Sequence, residues 1–357
     1  MSLPGDAIDN ADLKAIAAGG LVNEDVLQKI FQLSEVQTPF QDMIGTDECN
    51  ADYTSWVQDE LGNPSTSNVR VSGSDPTTFE TATGARVGNR TQINARTPIV
   101  SERAQNSDVI GTGDELTYQE MLAIQRVRQD VEAHVTSNQA SVEDDGSSTA
   151  GKAGGFPAWI ASNDQLAVGG SSGGFNTSTK NVDAPTPGAA RVLSWADVDT
   201  VVLNVYNSFG NITAVMTTPT LVQQINKFLK SSGAAGIRAN PVANIDGSGG
   251  KVEQTAQGFY NVIVTDFGTT LTIVPNRLMQ THKDGVTAAH QQDVVDVLFV
   301  DPARAAMAYL DGYKTKQLGK TGLSDKRDVT VDWTLKVYNE KAHGVIRDIL
   351  PGGTVTA

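Results

Sequence analysis

Gly88-Asn89-Arg90-Thr91-Gln92-Ile93-Asn94-Ala95-Arg96-Thr97-Pro98-Ile99-Val100-Ser101 is the stretch on which the fold turns. Ile93, Ala95, Thr97 and Ile99 alternate with Gln92, Asn94, Arg96 and Pro98, the period-2 pattern of a strand with one apolar face. Pro98 offers no backbone N–H to a ladder, so the strand is expected at a sheet edge or in a free ribbon. Upstream, residues 53–61 read as a second strand around Trp56 and Val57. The segment between the two strands carries almost no apolar side chain beyond Val69, Val71 and Phe79. A two-stranded ribbon with so polar a tip is marginal alone in water. A long polar loop in a compact chain is functional or disordered. The expectation is a protruding hairpin that another subunit holds in place.

Charge is distributed in the same sense. The 357 residues carry a net charge of −14, with no dominant basic patch of the kind that grips nucleic acid. Residues 1–60 hold two lysines and twelve acids, whereas 62–103 hold five arginines (Arg70, Arg86, Arg90, Arg96, Arg103) and three acids. Arginine pairs carboxylates bidentately. The asymmetry therefore predicts an arginine-bearing loop of one subunit docked on an acidic surface of the next. Arg86, Arg90, Arg96 and Arg103, with Trp56 and Phe79, are the candidate interface residues.

Further out, residues 1–35 read as a weak helix with the stripe Val26, Ile30, Phe31 and Leu33, ended at Thr38-Pro39. Thr117-Tyr118-Gln119-Glu120 has the form of a capping box. Met121, Ile124, Val127, Val131 and Val135 follow at helical spacing, giving a helix of roughly 30 Å. Residues 141–188 read as Gly/Ser/Asp-rich loops with one or two short strands, interrupted by the apolar run Phe156–Ile160. The texture changes near Val192. Ser194 caps a helix through Val198, Val201, Val202 and Val205; Ile212–Met216 is a strand; Thr218-Pro219 opens another helix. Strands follow at 259–264, 271–274 and 294–300, a short helix over 305–310, and a long terminal strand at 329–338. The two halves are expected to share an interface.

Motifs that suggest enzymes fail on context. Gly169-Gly170-Ser171-Ser172-Gly173 matches the G-x-S-x-G pattern, but that elbow needs a strand before it and a helix after it, and Gly174–Gly188 is no helix former. Gly319-Lys320-Thr321 lacks the first glycine of a phosphate-binding loop, since position 314 is lysine. Gly247–Lys251 ends in valine. Asp266-Phe267-Gly268 and His282-Lys283-Asp284 stand in the wrong order for a kinase. The lone Cys49 excludes an intrachain disulfide and cysteine metal clusters. The four histidines are scattered, so no catalytic, cofactor or metal site is nominated. No signal peptide and no membrane span are read in the chain, and synthesis and folding in a cytoplasm are expected.

Several stretches carry a resemblance: Thr38-Pro39-Phe40; Trp56-Val57-Gln58-Asp59; Arg86–Ile93; Phe267–Arg277; Leu318–Gly322; Thr334–Ala342. In this order they resemble the major capsid proteins of tailed bacteriophages, whose fold is shared with herpesviruses. The resemblance implies an α+β protein with an N-terminal arm (1–50) and an extended E-loop ribbon (51–105). It also implies a peripheral domain (106–191 and 313–339) carrying a spine helix at about 114–136, and an α/β axial domain (192–312 and 340–357). Such subunits form the hexamers and pentamers of an icosahedral shell around double-stranded DNA, bound without sequence specificity. Portal, scaffold and cement proteins are the other expected partners. Some relatives weld their shells through an E-loop lysine joined to a neighbour's asparagine. Residues 51–105 contain no lysine, so a non-covalent shell is expected. The rival readings are an encapsulin-like compartment shell and, more remotely, a cytoplasmic hydrolase using Ser171.

Overall fold

The computed structural model describes residues 37–60, 64–75, 84–107, 113–231, 262–265, 268–286, 291–320 and 322–356. The expected helix at 1–35, Phe79 and the motif at 247–251 lie outside them. Helix α1 (Pro39–Met43) and strand β1 (Gly45–Glu48) come first. Pro39 thus opens a short helix, the first-turn position that proline tolerates. Strands β2 (Tyr53–Gln58) and β3 (Ala85–Arg90) pair antiparallel as the expected ribbon, with Tyr53 opposite Arg90 and Gln58 opposite Ala85.

The second expected strand, 88–101, is three pieces: β3, β4 (Gln92–Arg96) and β5 (Ile99–Ser101). The chain changes partner at Thr91, leaving β2 and pairing β4 and then β5 with the later strand β15 (Ser324–Val337). Strand β4 is an edge, as Pro98 requires. Its faces are the reverse of expectation, however. Gln92 and Asn94 point inward and are buried, while Ile93 is 63% exposed. Asn94 Oδ1 accepts from the buried Trp333 indole N–H at 2.9 Å, and Gln92 Oε1 accepts from Gln139 at 2.7 Å. A buried indole needs an acceptor, and that need outweighs the apolar pattern.

Helix α2 (Glu102–Gln105) leads to the long helix α3 (Glu115–Val135). The start of α3 is three residues earlier than a Thr117 cap would place it. Asp114 is the cap: its carboxylate accepts from the N–H groups of Leu116 and Thr117, while the Thr117 hydroxyl donates to it. The bonds from Thr117 and Gln105 hold Asp114 down to about 2. Glu120 does not reach back; it pairs with Arg327. Helix α4 (Phe156–Trp159) and the short strands β6 (Asp164–Gln165), β7 (Gly174–Asn176) and β8 (Asn181–Asp183) fill the region read as loops.

Helix α5 (Trp195–Asn207), β9 (Ala214–Thr217) and α6 (Pro219–Ser231) stand where the spacing placed them, although the Ser194 hydroxyl makes no capping bond. Then come β10 (Val262–Val264), β11 (Thr270–Pro275), β12 (His282–Lys283), β13 (Asp293–Val300), β14 (Ala305–Gln317), β15 and β16 (Gly344–Ile349). The helix expected over 305–310 is the inner half of β14. Ala-Ala-Met-Ala suits a helix by propensity, but these residues run in register with Val337–Thr334 of β15, and pairing with a buried strand decides the outcome.

Two sheets result. One has the order β1-β14-β15-β4, with β5 also on β15; the other runs β10-β11-β9-β13-β16-β6, with β12 on β13. Two cores follow. The first packs α3 (Val127, Val131, Val135) and α4 against β14 and β15; the second packs α5 and α6 against β9, β11, β13 and β16. Strand β13 serves both. Leu298 and Val300 enter the first core, Val297 and Phe299 the second, which explains the apolar run Val297–Val300 at its end. Thus the two halves share an interface, as expected. Among the described residues, no helix is long and apolar enough to cross a membrane.

Candidate assembly surface

The ribbon is fastened at its base. The Trp56 indole N–H donates to the Val337 carbonyl at 3.0 Å, and its ring lies 5.4 Å from that of Trp159. Buried Asn89 donates to the Leu335 carbonyl at 2.8 Å and accepts from Gly154 N–H at 2.8 Å. Lys341 pairs with Glu60 across the same junction. Trp56 is therefore chiefly an anchor of the ribbon on its own body. Beyond the base the side chains have little to touch. Val57 is 68% exposed, and Val69 and Val71 exceed 80%. Ile93, Ile99 and Leu323 are exposed as well. The outer surface thus presents isolated apolar groups on a polar ribbon, where burial against another chain would gain free energy at about 25 cal/mol per Å².

The four arginines divide. Arg90 bonds Glu143 at 2.9 Å and lies 4.8 Å over the Tyr53 ring. Arg96 makes a two-pronged pair with Asp130 of α3, at 2.8 and 2.9 Å. Both are spent inside the chain. Arg86 reaches only the Ser55 hydroxyl across the ribbon, at 2.8 and 3.1 Å. Arg103 is exposed on α2. Among the described residues neither Arg86 nor Arg103 forms an ion pair with a carboxylate.

One residue that the sequence reading passed over organises the attachment of the N-terminal region. Glu132, fully buried on α3, accepts from Phe40 N–H at 2.8 Å, Gln41 N–H at 3.1 Å, the Gln41 side chain at 3.1 Å and Asn276 at 2.8 Å. Its carboxylate thereby sits on the first turn of α1. Burial pushes the Glu132 carboxyl up, and these bonds pull it back only in part. Two of the resembling stretches, Thr38-Pro39-Phe40 and the Pro275-Asn276-Arg277 end of another, meet there. Nearby, Lys336 donates to Asp47 at 2.7 Å and holds that carboxyl below its usual range, tying β1 to β15.

The enzyme-like motifs take ordinary places. Ser171 is exposed and bridges to Thr186 with no helix after it. Lys320 is held by Glu102 and Asp325, each at 2.9 Å.

The SU10 major capsid protein family matches residues 8–350. The major capsid protein of Escherichia phage Phieco32 is 26% identical over 344 residues, covering 88% of this chain and 90% of its own. The capsid of a native GTA particle shares the fold with a TM-score of 0.59 at 13% identity, over 96% of this chain and 99% of that one. A structure from Mycobacterium phage Adephagia gives 0.54 at 12% identity over 95% and 97%. The holo-SrpI encapsulin complex from Synechococcus elongatus PCC 7942 gives 0.52 at 11% identity over 96% and 98%.

Proposed function

The chain belongs to the SU10 major capsid protein family and forms a phage capsid shell, and from that premise we propose how it closes one. The ribbon β2–β3 is the E-loop, lying across the neighbouring subunit of a hexamer or pentamer. Helix α3 is the spine of a peripheral domain (106–191 and 313–339), and residues 192–312 with 340–357 form the axial domain. The observation that carries this reading is the bare ribbon: anchored by Trp56 and Asn89, yet exposing Val57, Val69 and Val71. Of the four candidate arginines, Arg86 and Arg103 are left to meet a neighbour's carboxylates, while Arg90 and Arg96 stiffen the ribbon's root. Phe79, near the tip in sequence, belongs to the same contact.

The icosahedral shell would enclose double-stranded DNA without gripping it, as the net charge of −14 favours. Portal, scaffold and cement proteins would be its remaining partners, and its synthesis would take place in the host bacterial cytoplasm. The subunit acts as a structural protein with no catalytic role. With no lysine in 51–105, contacts are non-covalent, so boiling particles in detergent should release single chains of 37.8 kDa; a covalent ladder would contradict this. Deleting residues 64–75 tests the reading directly. The expected product is a folded chain that forms no closed particles by negative-stain microscopy, and normal shells from that deletion would refute it. The encapsulin likeness keeps one alternative, a compartment shell, which particles filled with protein and devoid of DNA would favour.

A further inference from the structure

At the junction of the two cores lies a buried ionic group that the assembly reading does not use. Arg347 of β16 donates to Asp164 of β6 at 2.7 Å, to Asn138 beyond α3 at 3.1 Å, and to the carbonyls of Pro157 and Ile160. Asp296 of β13 stands 3.8 Å from the same guanidinium. Asp348, with φ of 60°, turns its carboxylate toward His282 of β12, whose Nε2 lies 3.1 Å from Asp348 Oδ1 and 3.8 Å from Asp296 Oδ1. The side chains of Asp164, Asp296 and Asp348 are each 3% exposed or less.

The charges do not balance. Two buried carboxylates, Asp164 and Asp296, face the guanidinium and a third, Asp348, faces His282, so with all three ionised and a neutral imidazole the group is left two charges negative. Unpaired buried charge is costly. A proton on His282 would remove only half of the excess, whereas a divalent cation would remove all of it.

The donors suit a metal. One imidazole nitrogen and two carboxylate oxygens lie within 4.8 Å of one another. A tetrahedral ion with bonds near 2.0–2.2 Å spaces its donors roughly 3.3–3.6 Å apart, close to the observed 3.1 and 3.8 Å. The outer oxygens are already fixed: Asn138 donates to Asp296 Oδ2 at 2.7 Å, and Gly188 N–H to Asp348 Oδ2 at 2.9 Å. Such bonds orient metal ligands. A cavity of about 300 Å³, lined by His282, Asp296, Asn138 and Gln139, adjoins the group and gives room for a water ligand and a way in.

We propose that His282, Asp296 and Asp348 form a binding site for a divalent transition cation of the Zn²⁺ class, which pins the junction between the two cores. Mixed nitrogen and oxygen donors favour such an ion over Mg²⁺ or Ca²⁺. The site needs no neighbouring copy, so it stands independently of the assembly reading.

The test is calorimetric titration of chelator-treated full-length protein with Zn²⁺, with Mg²⁺ as the contrasting probe. One Zn²⁺ per chain is expected, together with a rise in melting temperature that Mg²⁺ does not produce. His282→Gln and Asp348→Asn should each weaken Zn²⁺ binding by roughly tenfold or more; asparagine tolerates the positive φ at 348. Circular dichroism of each variant separates lost folding from lost binding, and the wild-type titration decides the matter if a variant fails to fold. No stoichiometric Zn²⁺ uptake by the wild-type chain overturns the proposal, as does unchanged uptake by folded variants.

Discussion

Two antiparallel strand pairs leave the body of this protein. The pair β14–β15 roots itself with Ala305, Met307, Trp333, Leu335 and Val337, all buried in the first core, and β15 also carries β4 and β5 on its far side. The pair β2–β3 sends in only Val87, Asn89 and the partly buried Trp56 before running out into solvent. Hydrogen bonding within each pair is of the same kind. What differs is the surface beneath, and because ladder bonds are exchanged for bonds to water at small net gain, that surface decides which pair stands alone. The first pair belongs to the folding of the chain. On the proposed reading the second belongs to the building of the shell.

Substitutions should separate the two. Trp333→Ala, in the rooted pair, should cost about 3–5 kcal/mol in denaturant unfolding, whereas removing residues 64–75 should leave that midpoint almost unmoved. Glu132→Ala strands the Phe40 N–H and the Asn276 amide in the interior and should cost about 2–4 kcal/mol. Acid acts on the body as well. His343 is wholly buried and held to about 4, because burial disfavours its charged form. Its Nδ1 accepts from Asp301 N–H, as only a neutral ring can. The unfolded chain therefore takes up this proton first. The stability due to His343 is complete above pH ~6.5 and lost as pH falls toward about 4, by roughly 3 kcal/mol at most. His343→Asn should flatten this dependence in melting curves taken across that range. Trp56→Ala, at the ribbon's root, should cost about 1–2 kcal/mol of chain stability but impair assembly far more. Arg86→Glu with Arg103→Glu should change folding least, by ~0–1 kcal/mol, while blocking particle formation. Normal assembly of that double variant would place the docking elsewhere.

The long helix and the helix–strand–helix beginning at Trp195 were legible because periodicity reports burial on one face, whereas the second ribbon strand was not: the alternation over residues 92–99 lies in β4 and β5, which pair with β15. Residues 305–310 were misread because an alanine-rich run has no period of its own, and its partner lies near residue 335. The reversal of faces in β4 came from the indole of Trp333, a long-range need invisible in the local pattern. Glu132 left no distinctive trace, since Asp130 flanks Val131 of the same stripe just as it does. The ionic group left a clearer one: Asp296 interrupts Val294–Val300, and Arg347-Asp348 interrupts Val345–Ile349. A charge inside an apolar strand asks for a partner, but sequence spacing could not say that Asp296, 52 residues from Asp348, would be it.

Amide hydrogen exchange on the isolated chain and on the assembled particle bears most directly on the ribbon. If sister copies hold it, amides of residues 53–58, 64–75 and 85–87 should exchange fast in the isolated chain and slow markedly in the particle, while those of β14 and β15 next to the core stay protected in both. Equal protection of the ribbon in both states would mean that it stands unaided, and the division between folding surface and building surface would fall.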